Sequence, residues 1–364
     1  MSVNPYVSIA FTNRNDNYGG DLENRINLFI DYYAHYAAKW PGLFEFVICD
    51  YNPPAGKTSL REAFNWDKLG DVKHVVVPND VHKATSGPGA RPILDYTGRN
   101  VAIRLGTGEF TLVLNQDIFI SKSILEFIAT RKLDARYFYR ADRCDFKLDN
   151  CQGLPAEEFE AMAFKETFFL YRRHITHYTR NVEKDTGISV DVTPEELFTK
   201  GTYARVDERL DAKNHIVFCD GAAERYAGFK MASEAARKVV SEGRSFHEQF
   251  FLHTNAGGDF ILAPRTAFAA IHGMPETSHF YMHLDSYVLV QLFAAGYRQA
   301  LFIQPHRVYH ADHDRSGRLD FIEPMTYADH EEEFSKMLRG ERSYQFNDDD
   351  WGLAAHNLPQ WKAA

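Results

Sequence analysis

At 364 residues the chain is long enough for one large domain or two modest ones, and either can bury a sizeable core. Hydrophobic residues at 45% and charged residues at 25% are ordinary globular values. The formal net charge of −9, with no long Lys/Arg run, argues against nucleic acid as the main partner, because phosphate backbones are held by basic patches.

The first third alternates strand and helix signals. Tyr6 to Thr12 reads as a short buried strand ending in Asn13-Arg14-Asn15-Asp16-Asn17. After Gly19-Gly20, Asp21 can cap a helix in which Leu22, Ile26, Phe29, Ile30, Tyr33 and Ala37 keep helical spacing, and Pro41-Gly42 stops it. Phe44 to Cys49 is a second strand, ending at Asp50-Tyr51-Asn52-Pro53-Pro54. His74 to Val77 is a third, stopped by Pro78. A helix over Tyr96 to Leu105 leads to a fourth strand, Phe110 to Leu114, which ends at Asn115-Gln116-Asp117. Ser121 or Ser123 then caps a helix through Ile124, Leu125 and Ile128. Such alternation predicts a largely parallel sheet whose ligands gather beyond the carboxyl ends of the strands, where these polar clusters sit.

Residues 141 to 245 mix aromatics and charges without clear strand alternation and read as a mostly helical insertion, with helices over Pro155 to Thr179 and Gly221 to Ser241. Periodic structure resumes with a strand at Asp259 to Leu262 and helices at Arg265 to Ile271 and Leu284 to Ala295. The expected division is therefore 1–140, an insertion at 141–245, and 246–364 with a C-terminal tail.

The four cysteines fit neither a paired zinc spacing nor a disulfide framework, which points to a reducing compartment. Met1 to Ala10 lacks the pattern of a signal peptide, and no apolar run approaches the ~20 residues of a membrane span. The expectation is a cytoplasmic protein, with peripheral work at a membrane surface compatible. Aromatic residues reach 14%, a share that serves either a core or a sugar-binding cleft.

Asp117 delivers a carboxylate at the end of a buried strand. A Mg²⁺ or Mn²⁺ bridging two phosphates needs hard oxygen ligands held at such rigid positions. Upstream stands Asn100-Val-Ala-Ile-Arg104-Leu-Gly-Thr-Gly108-Glu-Phe. With this approach the chain resembles the GT-A glycosyltransferases, many of which carry an Asn or Arg on a helix, a Gly, a hydrophobic strand and an Asp-x-Asp-type motif. The resemblance implies an α/β fold with a GT-A-like, mostly parallel sheet flanked by helices, and a nucleotide-sugar donor with a carbohydrate or other hydroxyl acceptor. It implies that Asn100 and Arg104 approach the nucleotide or its phosphates and that Asp117 binds the metal. Asn115 replaces the first Asp of the motif, so one negative charge is lost.

Further residues follow from the same resemblance. Thr12, Asn13 and Arg14 occupy the first strand end, where these enzymes contact base or ribose, and Asp50 matches the acidic residue that ends the second strand. Gly257-Gly258 would let backbone lie against a bound sugar. Asp285 would be the catalytic base of an inverting enzyme or a sugar ligand; alone, it reads equally as a helix N-cap. His310, then His313, would supply a further metal ligand, and Arg315 or Arg318 would contact the diphosphate.

Gly56-Lys57-Thr58 is not a P-loop, because position 51 is Tyr where the motif needs Gly. Alternatives to the transferase are a non-catalytic domain of this architecture that binds glycans or partners, a sugar nucleotidyltransferase and a metallohydrolase.

Overall fold

The computed structural model describes residues 4–87, 91–173, 176–179, 193, 196, 208–220, 252–277, 284–314, 333 and 335–362. Strand β1 (Val7–Asn13) is buried along its whole length, as is β2 (Phe44–Tyr51) beside it. A strand that is apolar on both faces belongs inside a sheet covered on both sides. Along β1 the pleat sorts the side chains: Val7, Ile9 and Phe11 join one core, and Ala10 joins the other.

Helix α1 (Leu22–Lys39) buries Leu22, Ile26, Phe29, Ile30 and Tyr33 against the first core. Asp21 stands at the helix start as expected, but in a left-handed conformation and without a capping bond. Asn17 performs the capping, its Oδ1 accepting from Leu22 N at 3.2 Å. The short helix α2 (Leu60–Ala63), strand β3 (Val72–Val77) and helices α3 (Asn79–Ser86) and α4 (Asp95–Leu105) lead to β4 (Phe110–Val113). After β4 come β5 (Ile118–Ile120), α5 (Lys122–Ala129), β6 (Tyr137–Ala141) and β7 (Arg143–Phe146). Ser121 precedes α5, yet its hydroxyl bonds Ser123 and the backbone N–H of Arg307 instead of capping the helix.

Within 141–245 the described residues hold more strand than expected. The helical reading of Pro155 to Thr179 holds for α6 (Ala156–Lys165). Beyond it, Thr167-Phe-Phe-Leu-Tyr171 forms β8 and pairs with β7, since β-branched and aromatic residues suit a pleated, half-buried surface. Strands β9 (Thr176–Tyr178), β10 (Arg209–Asp211) and β11 (Ile216–Cys219) follow. The expected helix at Gly221 to Ser241 lies outside the described residues. Further on, β12 is Ile261–Pro264; the expected start at Asp259 is displaced because Gly257–Asp259 form a 3₁₀ turn. The last elements are α7 (Arg265–Ala270), α8 (Leu284–Ala294), β13 (Arg298–Phe302), β14 (Val308–Ala311) and β15 (Gln360–Lys362).

The fold is mixed α/β. The main sheet runs β10-β11-β13-β6-β12-β4-β1-β2-β3-β15. It is parallel through β3-β2-β1-β4 and again between β6 and β13, with β12 antiparallel between β4 and β6. Strand β1 leads to β2 and β3 on one side, and the chain then crosses back to β4 on the other. The carboxyl ends of β1 and β4 therefore flank a topological switch point. A second sheet, β5-β14-β7-β8-β9, stands beyond the end of β4 and brings β14 next to Asp117.

Candidate metal and nucleotide site

A cleft opens at this switch point. Its walls come from the end of β1 (Thr12, Asn13, Arg14), the segment Arg91–Tyr96 with Arg99 of α4, the end of β4 (Asn115, Gln116, Asp117), and Arg143, Asp259, His310 and His313.

At its floor Asp117, His310 and His313 offer ligand atoms that all lie within 4.8 Å of one another. Asp117 is 3% exposed; its Oδ2 lies 3.2 Å from His313 Nε2, 3.9 Å from His310 Nε2 and 3.1 Å from Arg25 Nη1. Burial alone would raise its pKa, but His313, His310 and Arg25 together hold it well below the usual carboxylate range. The other oxygen, Oδ1, is buried with no hydrogen-bond partner. An ionised, buried carboxylate with an orphaned oxygen beside two imidazoles is a donor set that suits a divalent cation, and one with nitrogen ligands suits Mn²⁺ better than Mg²⁺.

His313 is held from behind by the loop after β1. Gly19 has φ +74°, and a Cβ there would collide with the His313 ring. Tyr18 meets the same imidazole edge-on at 5.5 Å, and Asp314 N donates to Gly19 O. Arg25, 1% exposed, joins this loop to the site, since its Nη2 donates to the carbonyls of Tyr18 and Gly20.

Asn115 lines the cleft and is hydrogen-bonded at both ends of its amide. Its Oδ1 accepts from Arg99 Nη2 at 2.5 Å and its Nδ2 donates to Asp259 Oδ1 at 2.8 Å. A carboxylate stands next to this amide at Asp259, which is also paired with Arg143. Burial favours protonating Asp259, but Arg143 and then His310 keep its pKa lowered.

The structure redistributes several expected roles. Asn100 and Arg104 do not reach the cleft. Asn100, fully buried, donates to Met274 O and Glu276 Oε1 at 2.7 Å and accepts from Met274 N. Arg104 binds Trp351 O at 2.9 Å and stacks on the Trp351 ring. The arginine of α4 that faces the cleft is Arg99, tied to Asp95 four residues earlier. Gly257 and Gly258 are absent from the cleft wall as well. The missing side chain of Gly257 serves packing on α8, where a Cβ would come within 3.0 Å of the Asp285 backbone. Asp285 accepts from Gly258 N at 3.1 Å and from Ser286 N at 2.9 Å, and lies half-buried next to Leu284, which does line the cleft. Asp50, 1% exposed, accepts from Leu60 N at 2.8 Å, and burial pushes its pKa up to about 6. Asp50 Oδ1 and Asn13 Nδ2 have no hydrogen-bond partner, and these two residues are register partners across β1 and β2. Arg315 and Arg318 lie outside the described residues.

Arg140, on β6, organises the segment that carries Asp259. Its guanidinium donates to the carbonyls of His253, Asn255, Ala256, Gly257 and Phe260. Burial pulls its pKa down to about 10.

No protein-family model matches the chain, and no curated protein matches it. Among solved structures the chain is similar to GalNAc-T7 with UDP, GalNAc and Mn²⁺, at 11% identity and a TM-score of 0.41. The match covers 88% of this chain and 45% of that one, so this chain spans less than half the length of its neighbour. A likeness this loose carries no argument about the site. No helix among the described residues is long and apolar enough to cross a membrane.

Proposed function

We propose that the chain is a GT-A-like glycosyltransferase that moves a sugar from a nucleoside-diphosphate sugar to a carbohydrate or other hydroxyl acceptor, assisted by a divalent cation. The observation that carries this reading is the convergence of Asp117, His310 and His313 beneath a cleft at the switch point of the parallel strands. Asp117 and the two histidines would hold Mn²⁺ or, less well, Mg²⁺. When bound, the ion would supply positive charge to the diphosphate leaving group.

The rest falls to the chain's own side chains. Thr12, Asn13 and Arg14 line the end of β1 and would hold the nucleoside, with Asp50 as the buried register partner of Asn13 behind them. Arg99 holds Asn115 on the opposite wall and is itself anchored by the carbonyl of Gly258 behind that wall. In an inverting transfer Asp285 would take the acceptor proton, releasing its bond from Gly258 N as it does so. In a retaining one it would orient donor or acceptor. Residues 1–140 would then serve the nucleotide and residues 246–364 the sugar and acceptor, with 141–245 as the insertion between them.

A second reading, a non-catalytic domain of this architecture, draws on Arg25. With that guanidinium 3.1 Å from Asp117 Oδ2, the carboxylate already has a counter-charge without an ion.

The test is thermal unfolding with UDP, GDP, CDP and dTDP, each with and without Mn²⁺. A ligand that binds only the native state raises its melting temperature by mass action. The transferase reading expects one nucleotide to stabilise the protein only when Mn²⁺ is present. No shift with any pair favours the non-catalytic domain.

A further inference from the structure

His310 reaches the site from the second sheet, and its strand neighbour is informative. In the parallel pairing of β14 with β7, His310 is opposite Asp145 and Val308 opposite Arg143. Arg143 and Asp145 are two apart on β7 and share one face. Arg143 donates to Asp145 through Nε at 2.7 Å and through Nη2 at 2.9 Å, a two-point grip that fixes the plane of the carboxylate. Its remaining Nη1 reaches Asp259, and its guanidinium lies over the Tyr171 ring at 4.0 Å. All three side chains are buried: Arg143 is 6%, Asp145 3% and His310 3% exposed.

The imidazole of His310 lies between two carboxylates. Nδ1 is 3.4 Å from Asp145 Oδ1, and Nε2 is 3.9 Å from Asp117 Oδ2. A neutral ring carries one N–H, and the hydrogen bond made by one nitrogen decides whether the other is free to bind a cation. Asp117 has two cationic or donor neighbours besides His310, namely Arg25 and His313, whereas Asp145 is aligned by Arg143 and lies 3.4 Å from Nδ1. We propose that Asp145 is a positioning residue: it takes the Nδ1–H of His310 and leaves Nε2 as the lone pair facing Asp117. This inference rests on the reading of Asp117, His310 and His313 as a metal site, and it adds to that site the group that orients it. Carboxylates in this place behind a ligating histidine influence affinity without touching the ion.

Replacing Asp145 with Asn keeps the shape but not the function. Arg143 presents donors to both carboxylate oxygens, so an amide nitrogen in either place meets an N–H head-on. The variant side chain must then surrender either Arg143 or His310.

Two measurements test the proposal. The first is ¹⁵N NMR of histidine-labelled wild-type protein without metal at mildly alkaline pH. The expected His310 signals are a protonated Nδ1 and an unprotonated Nε2; the opposite tautomer overturns the proposal whatever any variant does. The second is Mn²⁺ binding, followed by electron paramagnetic resonance, for wild type and Asp145→Asn, each first checked for folding by circular dichroism. The expected result is a roughly 10–100-fold weaker Mn²⁺ affinity in the variant, with the His310 tautomer no longer uniform. Wild type and variant binding equally, with the same tautomer, overturns the role of Asp145 and leaves the metal site standing. No Mn²⁺ binding by wild type overturns both.

Discussion

Asn115 at the end of β4 donates to Asp259, 144 residues later in the chain, across the junction of β4 with the segment entering β12. The pair sets an amide and a carboxylate side by side next to the strand end that carries Asp117. The second acidic group is supplied from elsewhere, and the amide serves as the connector between it and Arg99.

An Asn115→Asp variant tests that connection. It places an acceptor where Asp259 needs a donor, and two carboxylates then face each other in a buried setting. Folding stability is expected to fall by about 1–3 kcal/mol, the cost of a buried polar group left unsatisfied. Urea unfolding of the metal-free protein measures it, and a midpoint equal to wild type refutes the connector role.

Asp117→Ala is expected to abolish Mn²⁺ binding and also to destabilise the fold. Arg25 is 1% exposed, and its guanidinium would lose its only carboxylate ion pair among the described residues. Breaking a buried pair from one side costs about 3–5 kcal/mol. The double variant Asp117→Ala/Arg25→Met is expected to recover much of that loss while still failing to bind Mn²⁺. Thermal melts of the three proteins separate the structural from the metal-binding contribution.

Gly19→Ala is expected to weaken Mn²⁺ binding with Asp117, His310 and His313 all left in place. The added methyl needs φ near +74° and the space taken by the His313 ring, so the imidazole has to move. The left-handed conformation alone costs about 1–2 kcal/mol. A Mn²⁺ titration giving the wild-type affinity would show that the loop does not set the position of His313.

The pH dependence of Asp50 has a definite sign. Its pKa is raised from 3.8 to about 6 by burial, so the protonated form is favoured in the folded state. Its stabilising contribution is present below pH about 4 and lost as pH rises through about 6. Asp50→Asn should therefore match wild type in stability near pH 4 and exceed it at pH 7, by up to roughly 3 kcal/mol. Denaturation midpoints across that range check the slope. If the proposed nucleoside role is right, the same variant binds nucleotide more weakly in spite of its greater stability.

Strand ends were the legible part of this chain. Buried runs such as Val7–Asn13 and Phe44–Tyr51 announce central strands, and the polar residues that follow them reach the cleft as Thr12, Asn13, Arg14 and Asp117. Helix α4 was harder. Asn100 and Arg104 share one helical face, and so do Asp95 and Arg99, but only packing decides which face meets the cleft; Trp351 and Met274 cover the first. Asp259 stood in the Gly257-Gly258-Asp259 sequence yet read as the start of a strand, because a 3₁₀ turn leaves no periodic signal. Arg143 and Asp145 were least accessible to reasoning from sequence. Their partner His310 is 165 residues beyond Asp145, and nothing local reports a register between β7 and β14.

The placement of β12 also shapes how the protein is made. Strand β12 is the antiparallel insert between β4 and β6, and the segment just before it supplies the five carbonyls that surround Arg140. Until Ile261 has left the ribosome, the β4 edge has no partner on that side and Arg140 has no cage. The N-terminal strands can pair early, but the sheet has to be held open for a latecomer, and an unpaired edge invites the wrong strand from another chain. The strand insertion that closes this edge is the same one that brings Asp259 to the cleft, so the sheet and the site are completed together.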